Sequence, residues 1–578
     1  MPQLFDPHGP ESSLHRLSND SLEVLISDSG AGQLRWNGLA LTRRHADPVE
    51  DDLGSLLYVR DLDSGAIWSL GYQPTRVEPQ VYRVGCQDGC FRLEREDQGI
   101  ALRLDLSLDA AKDLERRRLR LTNVSDRARR IELTSYLEVA LFPDDADAAH
   151  PAFAKLFVQT ERDASTGALL ARRRPRGQGE SWPWMIHALL DAEAVQWETD
   201  RARFIGRGRN RARPVALFGS DSDLGSLSGS LGNVLDPILS LRTVVELEPG
   251  ADTELTWVTG AAPDRAAALA LLDGESLQAS VSASSLAAAD ETPAGREADP
   301  EPPESTQDLR FFNGYGGFSA DGRQYEIRLP YQGAAGHRRP PQPWINVIAN
   351  PDFGCLASEF GAGYTWSRNS QANRLTPWSN DPVSDPHGEA LYVRDEATGA
   401  SWSPLPGPRP APADYRVTHG LGFTRFSLRY DGLEQEATLF VPRHDPVRIL
   451  RLRLTNPGTS TRHLSLLGYQ RLVMGQQPSS SSAIVTAIEP EAGLLRAIDP
   501  DAGDFAGGIV FATAIVSGAT VSERDFTTDR LSVIGRHRDL ADPVVLEPGG
   551  RLDGRQGRVL DPCFAQRLLV RLEPGATL

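Results

Sequence analysis

Between Gly361 and Pro404 the chain reads GAGYTWSRNSQANRLTPWSNDPVSDPHGEALYVRDEATGASWSP, a stretch dense in tryptophan, arginine, asparagine and aspartate. An indole face stacks on the apolar face of a pyranose ring, while amide and guanidinium groups hold its hydroxyls. Trp366, Arg374, Trp378, Asn380 and Asp381 are therefore the candidate contacts to a glucan or oligosaccharide. Catalysis has weaker material. Paired carboxylates for glycoside cleavage could be sought among Glu359, Asp381, Asp385 and Glu389, yet Asp-Pro dipeptides are turn formers first. His419, His463 and Glu436 are types that run acid/base chemistry at a sugar, and no spacing pairs them. No catalytic residue is assigned.

Composition narrows the partners. The 578 residues carry a formal charge of −17, which disfavours nucleic acid and anionic membranes, both polyanions. No apolar run is long enough to span a bilayer and MPQLFDPHGPESS lacks the regions of a signal peptide, so a cytoplasmic protein is expected. Four cysteines are too few for a disulfide framework. Cys355 and Cys563 read as buried apolar groups, and Cys86 and Cys90 have no matching His or Cys cluster for a metal. Neither metal nor cofactor is expected.

The elements that would position these residues are short strands. Leu22–Ile26, Gly99–Leu108, Arg116–Thr122, Ile131–Val139 and Leu156–Thr160 alternate apolar and polar residues and end in turn formers, predicting sheets with one buried and one wet face. Asp321-Gly322 marks a hairpin, and the prolines before Trp344 mark an extended loop. Pro263–Leu272 is the one good helical stretch of the first half. Residues 275–307, rich in Ser, Ala, Pro and Glu, read as a flexible linker between a first unit, 1–274, and a second, 308–578.

The two units are copies of each other. Tyr58-Val59-Arg60-Asp61 and Trp68-Ser69 recur as Tyr392-Val393-Arg394-Asp395 and Trp402-Ser403. Leu121-Thr122-Asn123, Tyr136, Thr199-Asp200-Arg201, Gly206-Arg207 and Leu235-Asp236-Pro237 recur in the same order as Leu454-Thr455-Asn456, Tyr469, Thr528-Asp529-Arg530, Gly535-Arg536 and Leu560-Asp561-Pro562. Because both copies keep them, Arg60, Asp61, Trp68, Arg394, Asp395 and Trp402 read as structural anchors, a buried ion pair with an aromatic beside a hairpin. Leu247-Glu248-Pro249-Gly250 leads in copy one into the strand ELTWVTG and a helix; its counterpart Leu572-Glu573-Pro574-Gly575 is followed by only three residues. Copy two should therefore lack a strand, as a truncated piece would, or borrow one elsewhere. Arg43-Arg44-His45-Ala46 faces Pro377-Trp378-Ser379-Asn380, and this divergence makes Arg374–Asp381 the part free to serve a ligand.

FFNGYGGFSADGRQYEI, PWINVIANPDFG, the Gly361–Pro404 stretch and VLDPC resemble the N-terminal β-sandwich of the cellobiose phosphorylase and cyclic β-1,2-glucan synthase family, of the glycosyltransferase family 36 type. HPAFAKLFVQTE, TDRARFIGRGR and GNVLDP of copy one resemble a second such sandwich in the same synthases. The resemblance implies an all-β chain of two tandem galactose-mutarotase-like super-β-sandwiches with a few short helices, lacking the (α/α)6 barrel that carries the family's catalytic acid and phosphate site. It implies that Arg374–Asp381 would line an active-site mouth, as sandwich loops do across phosphorylase dimers. Three roles follow. The chain binds glucan and scaffolds a barrel; or it is a fragment or subunit of an active glycosyltransferase or phosphorylase; or it is a dimerisation platform, itself forming a homodimer.

Overall fold

A computed structural model describes residues 3–9, 13–44, 47–192, 194–218, 226–275, 309–476 and 483–578. The chain is all-β with a few short helices and divides into two compact units, 1–289 and 290–578. The predicted linker, apart from Glu275, lies outside the described residues, as do His45 and Ala46.

In unit one, strands Cys90–Asp97, Ile100–Leu108 and Leu114–Asn123 form an antiparallel run that continues into Asp252–Ala262 and Trp184–Leu190. Their strict alternation sends Phe91, Leu93, Leu102, Leu104, Leu119 and Trp257 into one core, as a period of two requires. The facing sheet is built on Arg129–Phe142, flanked by Pro237–Leu247 and Leu56–Asp61.

That central strand departs from the expected wet face. Its apolar side, Ile131, Leu133, Leu137 and Val139, joins the core, but Glu132, Thr134, Tyr136 and Glu138 on its other side are buried too. Helices Pro151–Lys155 and Arg201–Ile205 supply Lys155 and Arg201 to this face. There Arg43 grips Asp147 through two bonds of 2.7 and 2.8 Å and Arg201 lies 3.1 Å from Glu138. Buried charge is tolerated when paired in this way. Glu138 is held well below the usual carboxylate range: burial alone would raise it, but Arg201, Lys155, Arg211 and Arg43 outweigh that cost.

Unit two repeats the plan. A six-stranded sheet running from Gly316–Phe318 to Ile449–Thr455 faces a five-stranded one built on Glu389–Asp395, Arg462–Arg471 and Pro562–Leu572. Two three-stranded sheets, Ile345–Ala349/Phe353–Ser358/Gly363–Ser367 and Val485–Glu489/Leu494–Ile498/Ile509–Thr513, complete it. The Asp321-Gly322 turn joins Gly316–Phe318 to Gln324–Leu329. The predicted helix at 263–272 forms over Arg265–Ala270, with Asp264 accepting the Ala267 N–H as its cap.

The duplicated residues occupy duplicated roles. Arg201 and Arg530 each place Nη1 2.8 Å from an aspartate, Asp236 and Asp561. Tyr58 and Tyr392 donate their hydroxyls to the carbonyls of Arg211 and Leu540. Trp68 and Trp402 are buried in their respective cores. The ion pair of the Tyr-Val-Arg-Asp motif takes a partner that the sequence reading did not single out. Neighbouring strand residues point to opposite faces, so Asp61 and Asp395 turn away from Arg60 and Arg394 and instead bind Arg129 (2.6 Å) and Arg462 (2.7 Å) of the adjacent strand.

Candidate functional site

The hairpin after Gly363–Ser367 is where the two frameworks part. Unit one closes it with Asn37-Gly38, both at positive φ, between Gly32–Trp36 and Leu39–Thr42. Two such residues are what a tight two-residue turn needs. Unit two joins the same strands through a longer loop, and Trp366 bridges Arg374 across it. A threonine fastens both versions at the same point: Thr42 accepts the Leu34 N–H at 2.9 Å and Thr376 accepts the Thr365 N–H at 2.8 Å.

Just past this hairpin, two residues after Thr376, Trp378 stacks on Tyr364 of the first strand, ring centroids 5.0 Å apart and planes 8° from parallel. Tyr364 also meets Trp366 at 5.1 Å, and the Arg374 guanidinium lies 5.7 Å from the Tyr364 ring centre. Trp366 in turn lies on Gly354, where any side chain would collide with its indole. The three rings and Arg374 thus form one half-buried platform. Arg374 ties it down, its main chain exchanging bonds with Gly475 (3.2 and 3.0 Å) and its Nη1 donating to the carbonyls of Trp378 and Gln476. Under the platform Thr365 and Thr376 each donate to Glu389 Oε1 at 2.7 Å, and Glu389 pairs with Arg448.

Of the five predicted contacts, Trp366, Arg374 and Trp378 come together. Asn380 sits exposed two residues beyond Trp378 with φ of +49°. Asp381 Oδ1 accepts the N–H groups of Val383 and Ser384, the same turn that Asp47 makes with Val49 and Glu50. The carboxylates weighed for hydrolysis are engaged elsewhere: Glu359 accepts the Trp344 N–H, Asp385 accepts the Ser358 hydroxyl, and Glu389 serves the two threonines. His419 is bonded to Thr424 and the Trp344 carbonyl, with burial lowering its pKa. His463 lies in the other sheet from His419 and Glu436. Tyr364 and the Glu389–Arg448 pair escaped the sequence reading, although the repeated Leu-Thr at Leu41-Thr42 and Leu375-Thr376 signalled the clamp beneath.

A second concave feature lies on the outer side of the five-stranded sheet, a cavity of about 150 Å³ lined by Arg394, Glu396, Ser465, Glu523, Arg551 and Arg567. Its arginines are neutralised in place: Arg394 by Glu396, Arg551 by Glu523, and Arg567 by Asp525 and Glu523. Among the described residues no group of three or more His, Cys, Asp and Glu side chains is placed to hold a metal ion, and no helix is long and apolar enough to cross a membrane.

Comparison with known proteins gives a family match and two kinds of relative. The family described as glycosyl hydrolase 94, supersandwich domain, matches residues 3–276 and again 331–578. Cyclic β-(1,2)-glucan synthase NdvB of Rhizobium meliloti (strain 1021) is 28% identical over 99% of this chain, which spans 26% of that protein. N,N'-diacetylchitobiose phosphorylase of Vibrio furnissii is 26% identical over 45% of this chain and 32% of its own length. Among solved structures, a putative aldose 1-epimerase from Escherichia coli K12 is 12% identical over 44% of this chain and all of its own, with a TM-score of 0.24.

Proposed function

Since this chain belongs, in both halves, to the glycosyl hydrolase 94 supersandwich family, we propose that it is a carbohydrate-binding and scaffolding pair of sandwiches. In this reading unit two holds a glucan chain on the Trp366–Tyr364–Trp378 platform and presents it to a catalytic domain outside these residues. The observation that carries the reading is the platform's position. Its three rings, Tyr364, Trp366 and Trp378, stand where the otherwise matching unit one has Gln33, Arg35 and Arg44, so the fold does not need them. Tyr364 covers one face of the Trp378 indole, which leaves the other for a pyranose, and Asn380 beyond it offers an exposed amide to sugar hydroxyls. The related synthase and phosphorylase supply the ligand class, a β-linked glucan or oligosaccharide.

Titration calorimetry with β-1,2-gluco-oligosaccharides and cello-oligosaccharides tests this. Trp378→Ala should weaken binding at least tenfold, about 1.4 kcal/mol, while His463→Ala should leave it unchanged. Absence of heat with every glycan, or full affinity in Trp378→Ala, would sink the proposal. The second reading, membership in an active glycosyltransferase or phosphorylase, is favoured by the relatives' activities. Phosphate release from a sugar 1-phosphate and an acceptor by residues 1–578 alone would support it and sink the scaffolding reading.

A further inference from the structure

Both units carry two arginines on the sheet face turned away from the core, and they fill the gap between these arginines differently. The ladders place them at matching registers. Arg60 stands opposite Glu132 and Arg242 opposite Thr134 in unit one, Arg394 opposite Ser465 and Arg567 opposite Leu467 in unit two. In unit one the buried Glu132 carboxylate occupies the gap, 3.6 Å from Arg242 Nε.

In unit two the much smaller Ser465 takes that place. Its hydroxyl accepts from Arg567 Nη1 at 3.3 Å and is hydrogen-bonded to Glu396. Carboxylates return at the rim instead. Glu396, where unit one has Leu62, pairs with Arg394; Glu523, where unit one has Ala194, pairs with Arg551 and lies 3.3 Å from Arg567. The main chain from Val545 to Arg551 forms a further wall. Its Leu546 carbonyl accepts from Arg394 Nε at 3.0 Å, and a side chain at Gly550 would collide with the Val545 carbonyl, so this wall is a tight, fixed turn. Sheet and turn together enclose the cavity of about 150 Å³.

The lining is balanced in charge, with Arg394, Arg551 and Arg567 set against Glu396, Glu523 and Glu547. An anion would bring acceptors alone and a cation donors alone. A sugar hydroxyl donates and accepts at once, so it can bond to both members of an existing Arg–Glu pair without breaking it. Leu546 and Leu569 add aliphatic surface for the C–H face of a ring. A void of about 150 Å³ takes one six-membered ring rather than a chain. We propose that this cavity binds a single neutral pyranose residue between the Glu396–Arg394 and Glu523–Arg567 pairs, as a carbohydrate subsite of unit two. It shares no residue with the aromatic platform and does not rest on it. A free monosaccharide and the end of a glucan chain present the same chemistry to it.

The test is saturation-transfer NMR titration of the full chain carrying Trp378→Ala, which removes the platform's contribution. The probes are D-glucose, the β-1,2-linked disaccharide of glucose, and inorganic phosphate. Saturation transfer to a sugar is expected. Two further changes, each installing the residue that unit one has at the same place, should weaken it roughly tenfold or more: Ser465→Glu, which fills the cavity, and Glu523→Ala, which strips one rim carboxylate and keeps the cavity open. Melting temperatures read alongside separate loss of the site from loss of the fold, and Glu523→Ala, at a partly exposed position, carries the test if Ser465→Glu does not fold. Transfer to both sugars supports a site for any single ring; transfer to the disaccharide alone supports a site for a chain end. No transfer to either sugar, transfer that folded variants leave unchanged, or tighter binding of phosphate than of sugar would overturn the proposal.

Discussion

His187 is buried in unit one between Ser135 Oγ (3.0 Å) and Thr259 Oγ1 (2.9 Å), with no carboxylate among these partners. Burial, helped by the Arg117 charge, pushes its pKa down to about 3; in unit two burial and Arg339 take His387 down to about 4, against the pull of the Phe360 carbonyl. An unfolded histidine titrates near 6.5. Below that pH the unfolded chain binds more protons than the folded one, so stability falls as pH drops from about 6.5 and stops falling, for each histidine, at its folded pKa. Each pH unit costs on the order of 1.4 kcal/mol per histidine. The melting temperature should therefore decline steadily from pH 6.5 to 4, and His187→Gln should flatten that decline for unit one. An NMR titration of His187 with a midpoint near 6.5 would contradict the assignment.

At the scale of elements, the repeated short helix shows how a fold can be written in few residues. Asp200 and Asp529 cap Arg201–Ile205 and Arg530–Ile534 by accepting from the second following N–H, and Gly206 and Gly535 end them at φ of +85° and +86°. A β-carbon on Gly535 would sit 3.1 Å from that of Val544, whereas one on Gly549, at φ +76°, would meet nothing. Both alanine replacements carry the backbone cost of a positive φ, roughly 1–2 kcal/mol. Gly535→Ala should cost more than Gly549→Ala in urea denaturation because Val544 and Arg538 must shift to admit the methyl.

Strands and hairpin were legible because they rest on neighbours in sequence, alternation and Asp-Gly, whereas the short capped helices Arg201–Ile205 and Arg530–Ile534 showed only as repeated residues. The burial of Glu132, Thr134 and Glu138 was not legible. Their polar alternation looks like a wet face until Arg43, Lys155, Arg201 and Arg242 arrive from distant segments. The same limit applies to the platform. Trp366, Arg374 and Trp378 stood out by type and by divergence between copies, while the stacking of Tyr364 and the Arg448 contact to Glu389 depend on how separate strands meet.

Taken whole, the molecule is one architecture executed twice with different degrees of closure. In unit one Asp252–Ala262 is hydrogen-bonded on both sides and the core is continuous across both sheets. Among the described residues unit two is divided among four smaller sheets, with Ile498, Ile509 and Phe511 exposed on one of them. Since stability scales with apolar area buried, calorimetry should resolve two transitions with unit two melting first. Tryptophan-free variants of each unit would assign them by fluorescence, and a single transition, or unit one melting first, would contradict this.

The threonine that fastens the hairpin in both units has a practical consequence. Thr42 and Thr376 fasten the two strands in the same way whether a two-residue turn or the longer polar loop 368–373 lies between them. The connection is thus an exchangeable cassette. Its sockets are set by the framework and its contents are free to vary, so a new loop can be grafted there, or loop 368–373 transplanted into unit one, without redesigning either sandwich.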